Sequence, residues 1–168
     1  MFWMLWAYFV HFIAHIYSRW NLLFKIHMFH HKRKYNMELG YKPNPITIKS
    51  FLLFFGTWQE TLDVIIILFL PIVIISFFSM PIALVFFIIF YFYESILSED
   101  LFDHNPNIQG RITKFMACGV YHLKHHITVS VAFSFYTNFY DICFATAPNN
   151  FEVNRYCFIE KRMLLKEI

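Results

Sequence analysis

The residues of this chain best able to do chemistry are its nine histidines, eight of which fall in three short clusters. His11 and His15 form an H-x3-H pair, His27, His30 and His31 form H-x2-H-H, and His122, His125 and His126 repeat that second spacing. His104 stands alone ahead of the last cluster. Helical positions i, i+3 and i+4 share a face, so each cluster is expected to send two or three imidazoles toward one point. A single histidine, or one i,i+4 pair, is ordinarily a surface or hydrogen-bonded core residue. Three clusters in so apolar a chain need another reason, because uncompensated polar rings near a bilayer are costly. Metal binding supplies one: four or five imidazoles complete one ion, so this set suits two.

Imidazole is a good ligand for zinc, copper, iron and nickel. Zinc-dependent peptide hydrolysis needs H-E-x-x-H, with the glutamate as general base. Here Phe12, Ile13 and Ala14 fill the gap between His11 and His15, and no base is present. Two closely spaced irons could instead bind O2 and attack an unactivated C–H bond. The protein's part would be to fix the metals and bury the alkyl chain beside them.

The elements that position these rings are apolar. Of 168 residues, 58% are hydrophobic, 22% aromatic and only 15% charged, a balance that points to an integral membrane protein rather than a soluble domain. Mean hydropathy is +0.48. The net charge of +3 lies in short groups such as Lys32, Arg33 and Lys34. Groups this short suit membrane flanks better than a nucleic-acid-binding stripe. Cys118, Cys143 and Cys157 show no CxxC spacing and read as thiols in a reducing compartment. The length is that of one domain.

Residues 1–17 form an aromatic, apolar stretch broken only by His11 and His15, without the basic start and small-residue cleavage site of a signal peptide. Residues 18–31 are more polar and are expected to run as a helix along the membrane surface. A basic connection with Pro43 and Pro45 follows. From Val64 to Tyr93 there are thirty residues without a charge. One helix of that length would reach about 45 Å, too long for a bilayer core of about 30 Å. The Ser79-Met80-Pro81 step therefore predicts a hairpin of two helices, over 62–79 and 81–97, with Pro71 kinking the first. That topology leaves the Lys/Arg groups on one side of the membrane, which the positive-inside tendency makes cytoplasmic. Residues 98–168 read as a membrane-apposed region ending in a charged tail over 147–168 with Lys161, Arg162 and Lys166.

With these motifs in place, the chain resembles the fatty acid hydroxylase / sterol desaturase superfamily from about His11 to Thr146. The order HFIAH (11–15), HMFHH (27–31), hydrophobic hairpin, HLKHH (122–126) is that family's pattern. His104 matches a histidine that members carry before the last cluster, and YDICFAT (140–146) is similar to their W-D-x-x-F-G-T. The chain departs from the family at Ala132-Phe133-Ser134, where many members read Asn-Tyr-Gly, and it begins almost at the first cluster, as a minimal active form, a fragment or a degenerate relative would.

The resemblance implies a di-iron centre with O2 as co-substrate, an endoplasmic-reticulum-type membrane if the source is eukaryotic, and electrons from a cytochrome b5 or an equivalent reductase. Zinc is a substitute that the same imidazoles would accept.

The expectation is thus an all-α integral membrane fold of three or four membrane-associated helices, capped on the cytoplasmic side by a histidine-rich metal site. His11, His15, His27, His30, His31, His104, His122, His125 and His126 are the expected ligands. The expected reaction takes O2, two electrons and two protons and yields a hydroxylated or desaturated lipid and water. A non-catalytic membrane metal-binding or transport protein, or an inactive relative, stays open as the alternative. Among the acids, Glu99, Asp100, Asp103 and Asp141 are candidates to hold ligand rings, Glu60 and Asp63 are expected at the membrane interface, and Glu94 closes the apolar run.

Overall fold

The computed structural model describes residues 2–35, 37 and 39–148. The charged tail from residue 149 onward, with Cys157, lies outside the described residues. Within them the chain is helical and contains no strand.

Helix α1 (Phe2–Ala14) and helix α2 (Leu22–Lys32) are joined through Asn21. Its Oδ1 accepts from Phe24 N at 3.2 Å, capping α2, while its Nδ2 donates to Ile13 O and Ile16 O, both at 2.8 Å. One side chain thus satisfies exposed backbone groups of both helices and fixes the angle between them.

A short helix α3 (Ile48–Leu52) follows, with a capping box between Thr47 and Ser50. Helix α4 (Trp58–Val64), capped by Thr57, runs through a π-helical segment, Ile65–Phe69, into α5 (Leu70–Ser76). Together they make one apolar helix, Trp58–Ser76. The π-helical turn sits just before Pro71, which has no N–H to offer the carbonyls behind it. Two indoles of α1 reach this stretch instead: Trp6 Nε1 donates to Ile66 O at 3.3 Å and Trp3 Nε1 to Leu68 O at 2.7 Å. Irregular helix in an apolar element is tolerated when neighbours supply the missing hydrogen bonds.

The break at Ser79 falls where the sequence places it. Helix α6 (Met80–Phe92), with Pro81 in its first turn, continues through a π-helical segment, Tyr93–Asp103. The second long helix therefore spans Met80–Asp103. The expected bounds of 62–79 and 81–97 were too late at the first helix's start, too late at its end, where residues 77–79 form the turn, and too early at the second's end. The first and last discrepancies have one cause: Glu60, Asp63, Glu94, Ser95, Ser98 and Asp103 are helical but turned into the protein. Their polarity marks an inner face, not a helix end.

Trp3 and Ala7 of α1 pack with Phe54, Phe55, Val64, Ile67, Leu68, Phe69, Ile72 and Ala83 in the main apolar core. Trp3 stacks on Phe90 at 4.0 Å between ring centroids. The outer face of the hairpin is bare apolar surface, up to Phe77 and Phe78 at its tip. The two long helices have the length and composition to cross a membrane.

Helix α7 (Val120–Ile127) carries the last histidine cluster, and helix α8 (Phe139–Cys143) closes the described chain. The entry to α7 is Gly119 at φ 57°, ψ −130°. Its N–H donates to Phe102 O at 3.1 Å, and Val120 N–H donates to Ile108 O at 3.0 Å. A Cβ at Gly119 would lie 2.2 Å from Ile108 O and 2.7 Å from Ile108 Cβ. Only glycine fits, for both backbone conformation and space. Gly119→Ala is accordingly expected to destabilise the fold by about 3 kcal/mol. Loss of folded yield and a lowered thermal midpoint in detergent would show it, whereas an unchanged midpoint would contradict this account.

Candidate metal centre

All nine histidines converge, in two adjoining groups. One group holds His11, His15, His27, His31 and His125, and the other holds His30, His104, His122 and His126. Within each group the candidate ligand atoms lie within 4.8 Å of one another. The groups touch: the His31 and His126 ring centroids are 4.5 Å apart.

The sequence motifs do not map one to a group, which corrects the expectation that each cluster aims at one point. On α2, His27 and His31 join the first group and His30 the second; on α7, His122 and His126 join the second and His125 the first. Helix geometry explains the split. A step of four residues turns about 40° and a step of three about −60°, so H-x2-H-H fans across some 100°. The i,i+4 pairs stay together, His11 with His15 included, and the i+3 member crosses to the other group. His104, just past the second long helix, completes the four-membered group.

Hydrogen bonds fix which ring nitrogen faces inward. A carbonyl oxygen or carboxylate only accepts, so the Nδ1 atoms bonded to them are N–H donors. His11 Nδ1 donates to Phe133 O at 2.8 Å, His27 Nδ1 to Asp63 Oδ2 at 2.7 Å, His104 Nδ1 to Glu99 O at 2.9 Å and His125 Nδ1 to Val131 O at 2.6 Å. The neutral forms of these rings carry a bare lone pair on Nε2. Yet His11 Nε2 and His27 Nε2 stand 3.1 Å apart, and His125 Nε2 is buried with no hydrogen-bond partner. In those neutral forms two facing lone pairs repel, and no hydrogen bond can form between them.

A cation between them resolves the conflict. Two nitrogens each about 2.1 Å from one metal are separated by about 3.0 to 3.4 Å. The Nε2 separations of His15 from His11 (3.3 Å), of His27 from His15 (3.1 Å), of His31 from His27 (3.1 Å), of His104 from His126 (3.0 Å) and of His126 from His122 (3.3 Å) fall in that range. The residues present therefore fit metal ions held by imidazole.

Electrostatics agree. Burial pushes the His104 and His125 rings down to about 3. Burial, compounded by neighbouring imidazoles, also holds His30, His31, His122 and His126 well below the usual 6.5. The rings are neutral at physiological pH, the form that binds metal.

The groups behind the rings are mostly backbone, which sequence could not reveal. Ala132, at φ 61°, separates the two carbonyls that hold His125 and His11. Asp141 pins this loop: it accepts from Phe133 N at 2.8 Å, Ser134 N at 3.0 Å, Tyr121 Oη at 2.8 Å and Thr146 Oγ1 at 2.7 Å. So Asp141 acts on ligand rings through the backbone, not by touching them. Glu99 serves through its carbonyl, while its carboxylate pairs with Arg33. Asp100 bonds Tyr41 and Asn44 instead, and Asp103 accepts from Tyr93 Oη at 2.6 Å.

Asp63, expected at the membrane interface, is the carboxylate that bonds a ligand ring, and Glu60 is likewise buried. Their signal was position: acids at the start of an apolar helix are costly unless they have an inward partner. Tyr35 was also missed. Its ring stacks on His104 at 3.8 Å and its hydroxyl lies 3.3 Å from His30 Nδ1.

Beside His27, His30, His104 and His122 lies a cavity of ≈ 30 Å³, also lined by Asp63, Glu94 and Asp103. That is room for about two waters. Tyr136 Oη donates to Glu94 Oε1 at 2.5 Å at its edge. No protein-family model, curated protein or solved structure matches the chain.

Two outcomes follow from this geometry. Asp63→Ala leaves the His27 N–H without its acceptor and is expected to weaken metal binding at the five-histidine group by about 10- to 100-fold while sparing the other. Metal titration of the purified variant would read this as one weakened site, and two unchanged sites would refute it. The second concerns pH. Below about 6.5 the unfolded chain takes up protons that the buried rings refuse, so the metal-free protein is fully stable above that pH and loses stability as pH falls toward 3. Thermal midpoints after chelation, compared at pH 7.5 and 5.5, should drop at the lower value; a flat profile would contradict the burial argument.

Proposed function

We propose that this protein is a membrane-embedded di-iron oxygenase that hydroxylates or desaturates a lipid. The observation that carries the reading is the pairing of two adjoining imidazole groups, their Nε2 lone pairs turned inward, with a hairpin whose outer face is apolar. Sets of five and four imidazoles fall short of two octahedral shells, which leaves places for O2 and water. When bound, the iron pair supplies the redox chemistry that reduces O2 and oxidises an unactivated C–H bond. The order of the histidine motifs, similar to that of the fatty acid hydroxylase / sterol desaturase superfamily, supports the same conclusion.

The chain's own residues play three parts in this scheme. Asp63 and the carbonyls of Glu99, Val131 and Phe133 keep four rings in the tautomer that presents Nε2. The small cavity beside His30 and His122, with Glu94 and Asp103 in its lining, has room for water next to the site, where protons are consumed. The exposed Phe and Ile residues of the hairpin meet the hydrocarbon of a bilayer, in which the helix Trp58–Ser76 would span about 28 Å and Met80–Asp103 about 36 Å. The basic groups then face the cytoplasm, the side of an electron donor such as cytochrome b5.

Iron analysis and lipid profiling together test the proposal. The chain expressed in an iron-replete host is expected to hold about two irons and to add oxidised lipids to the host's profile. His125→Ala should lose part of the iron and all of the new lipid. Iron without lipid oxidation would favour a non-catalytic metal-binding protein, and a purified chain free of iron would defeat the proposal.

A further inference from the structure

A second, larger pocket lies next to the candidate metal centre and shares one lining residue, Phe55, with the cavity there. It has a volume of ≈ 200 Å³ and sits where the loop from Asn44 to Ser50 meets the last turns of the second long helix. A cavity of about 150 Å³ is enough to admit benzene, so this one takes a small molecular group. Phe55 lines both this pocket and the inner cavity. Its ring centroid is 5.3 Å from that of His30 and 6.1 Å from that of His104. Its backbone is left-handed, at φ 56°, and Arg33 Nη1 donates to its carbonyl at 2.7 Å. The partition is thus a strained residue clamped by one arginine.

The chemistry of the pocket selects its ligand. Ser95 is buried to 6% exposure, lines the pocket, and its Oγ has no hydrogen-bond partner among the described residues. A buried hydroxyl left unpaired is costly, and a ligand group that both donates and accepts would satisfy it. The charges argue against an anion. Among the described residues Arg33 is the pocket's one cation, against Glu99 and Asp100. Arg33 is already engaged by Glu99 and by Glu60. The two acids are engaged too, Glu99 by Arg33 and Asp100 by Tyr41 and Asn44. Neither sign of charge has an open partner.

We infer that this pocket binds the uncharged, hydroxyl-bearing head of the lipid substrate, with Ser95 as its hydrogen-bond partner and Phe55 as the gate between the head and the metal centre. The inference rests on the oxygenase reading above. With Phe55 in place the inner cavity of ≈ 30 Å³ has no room for an alkyl chain, so a C–H bond coming from this pocket reaches His30 and His104 only when that ring moves.

Photolabelling of the full chain in phosphatidylcholine nanodiscs, with decanol carrying a diazirine as the probe, tests this directly. Label is expected on the peptides covering 44–56 and 95–101, with competition by unlabelled decanol but not by decanoate or decyltrimethylammonium. Ser95→Ala removes an unpaired hydroxyl without disturbing the fold. It should cut labelling roughly five- to tenfold, the worth of one hydrogen bond, while bound metal stays at the wild-type amount. Phe55→Gly keeps a residue suited to the left-handed backbone. It should extend the label to Ile67 and Phe135 of the inner cavity. Label spread along the hairpin, undiminished labelling of Ser95→Ala, or equal competition by decanoate would overturn the head site. Pocket-confined label on a chain that binds no iron would leave the head site standing and overturn the oxygenase reading.

Discussion

The structure depends on a conflict between lone pairs. Four buried imidazoles commit their Nδ1–H groups to fixed acceptors, which turns unprotonated Nε2 atoms inward, two of them to within 3.1 Å of each other. In water such atoms would each be hydrated. Here they are buried, and burial also keeps His11, His104 and His125 from escaping the conflict by taking up protons. An electrophile shared among them would make the arrangement favourable, and folding would then be linked to metal binding.

The surrounding elements serve that convergence. Asn21 sets the angle between α1 and α2 and thereby brings His11 and His15 against His27 and His31. Gly119 lets α7 start in contact with Ile108, which aims His122 and His126 at His104. Asp141 stiffens the loop whose carbonyls orient His11 and His125. Because each H-x2-H-H straddles both groups, neither group belongs to one helix, and loss of α2 or α7 would open both.

The long helices carry a division of labour along their length. Their middles and outer faces are apolar, whereas the ends nearest the histidines turn acids and serines inward. The same ends hold the small cavity and, across Phe55, the larger pocket. Polar residues in apolar helices cost free energy. Here that cost is met by what they do: Asp63 bonds the His27 ring, Glu94 and Asp103 line the small cavity, and Ser95 lines the larger pocket.

Much of this was legible in the sequence. The hairpin, its break at Ser79, the helical cluster spacings and the identity of eight of the nine converging rings follow from hydropathy and from i, i+4 geometry, which are properties of local chain, whereas the lone His104 was marked only by the family resemblance. The expected interface role of Asp63 failed because a carboxylate's partner, here His27, is 36 residues away and invisible to local pattern. The backbone acceptors were invisible too, since a carbonyl has no residue type to mark it. Residue chemistry and spacing therefore determined that the imidazoles could gather. Which ring joins which group, which nitrogen faces inward and what lies behind Phe55 were decided only when helices distant in sequence packed against one another.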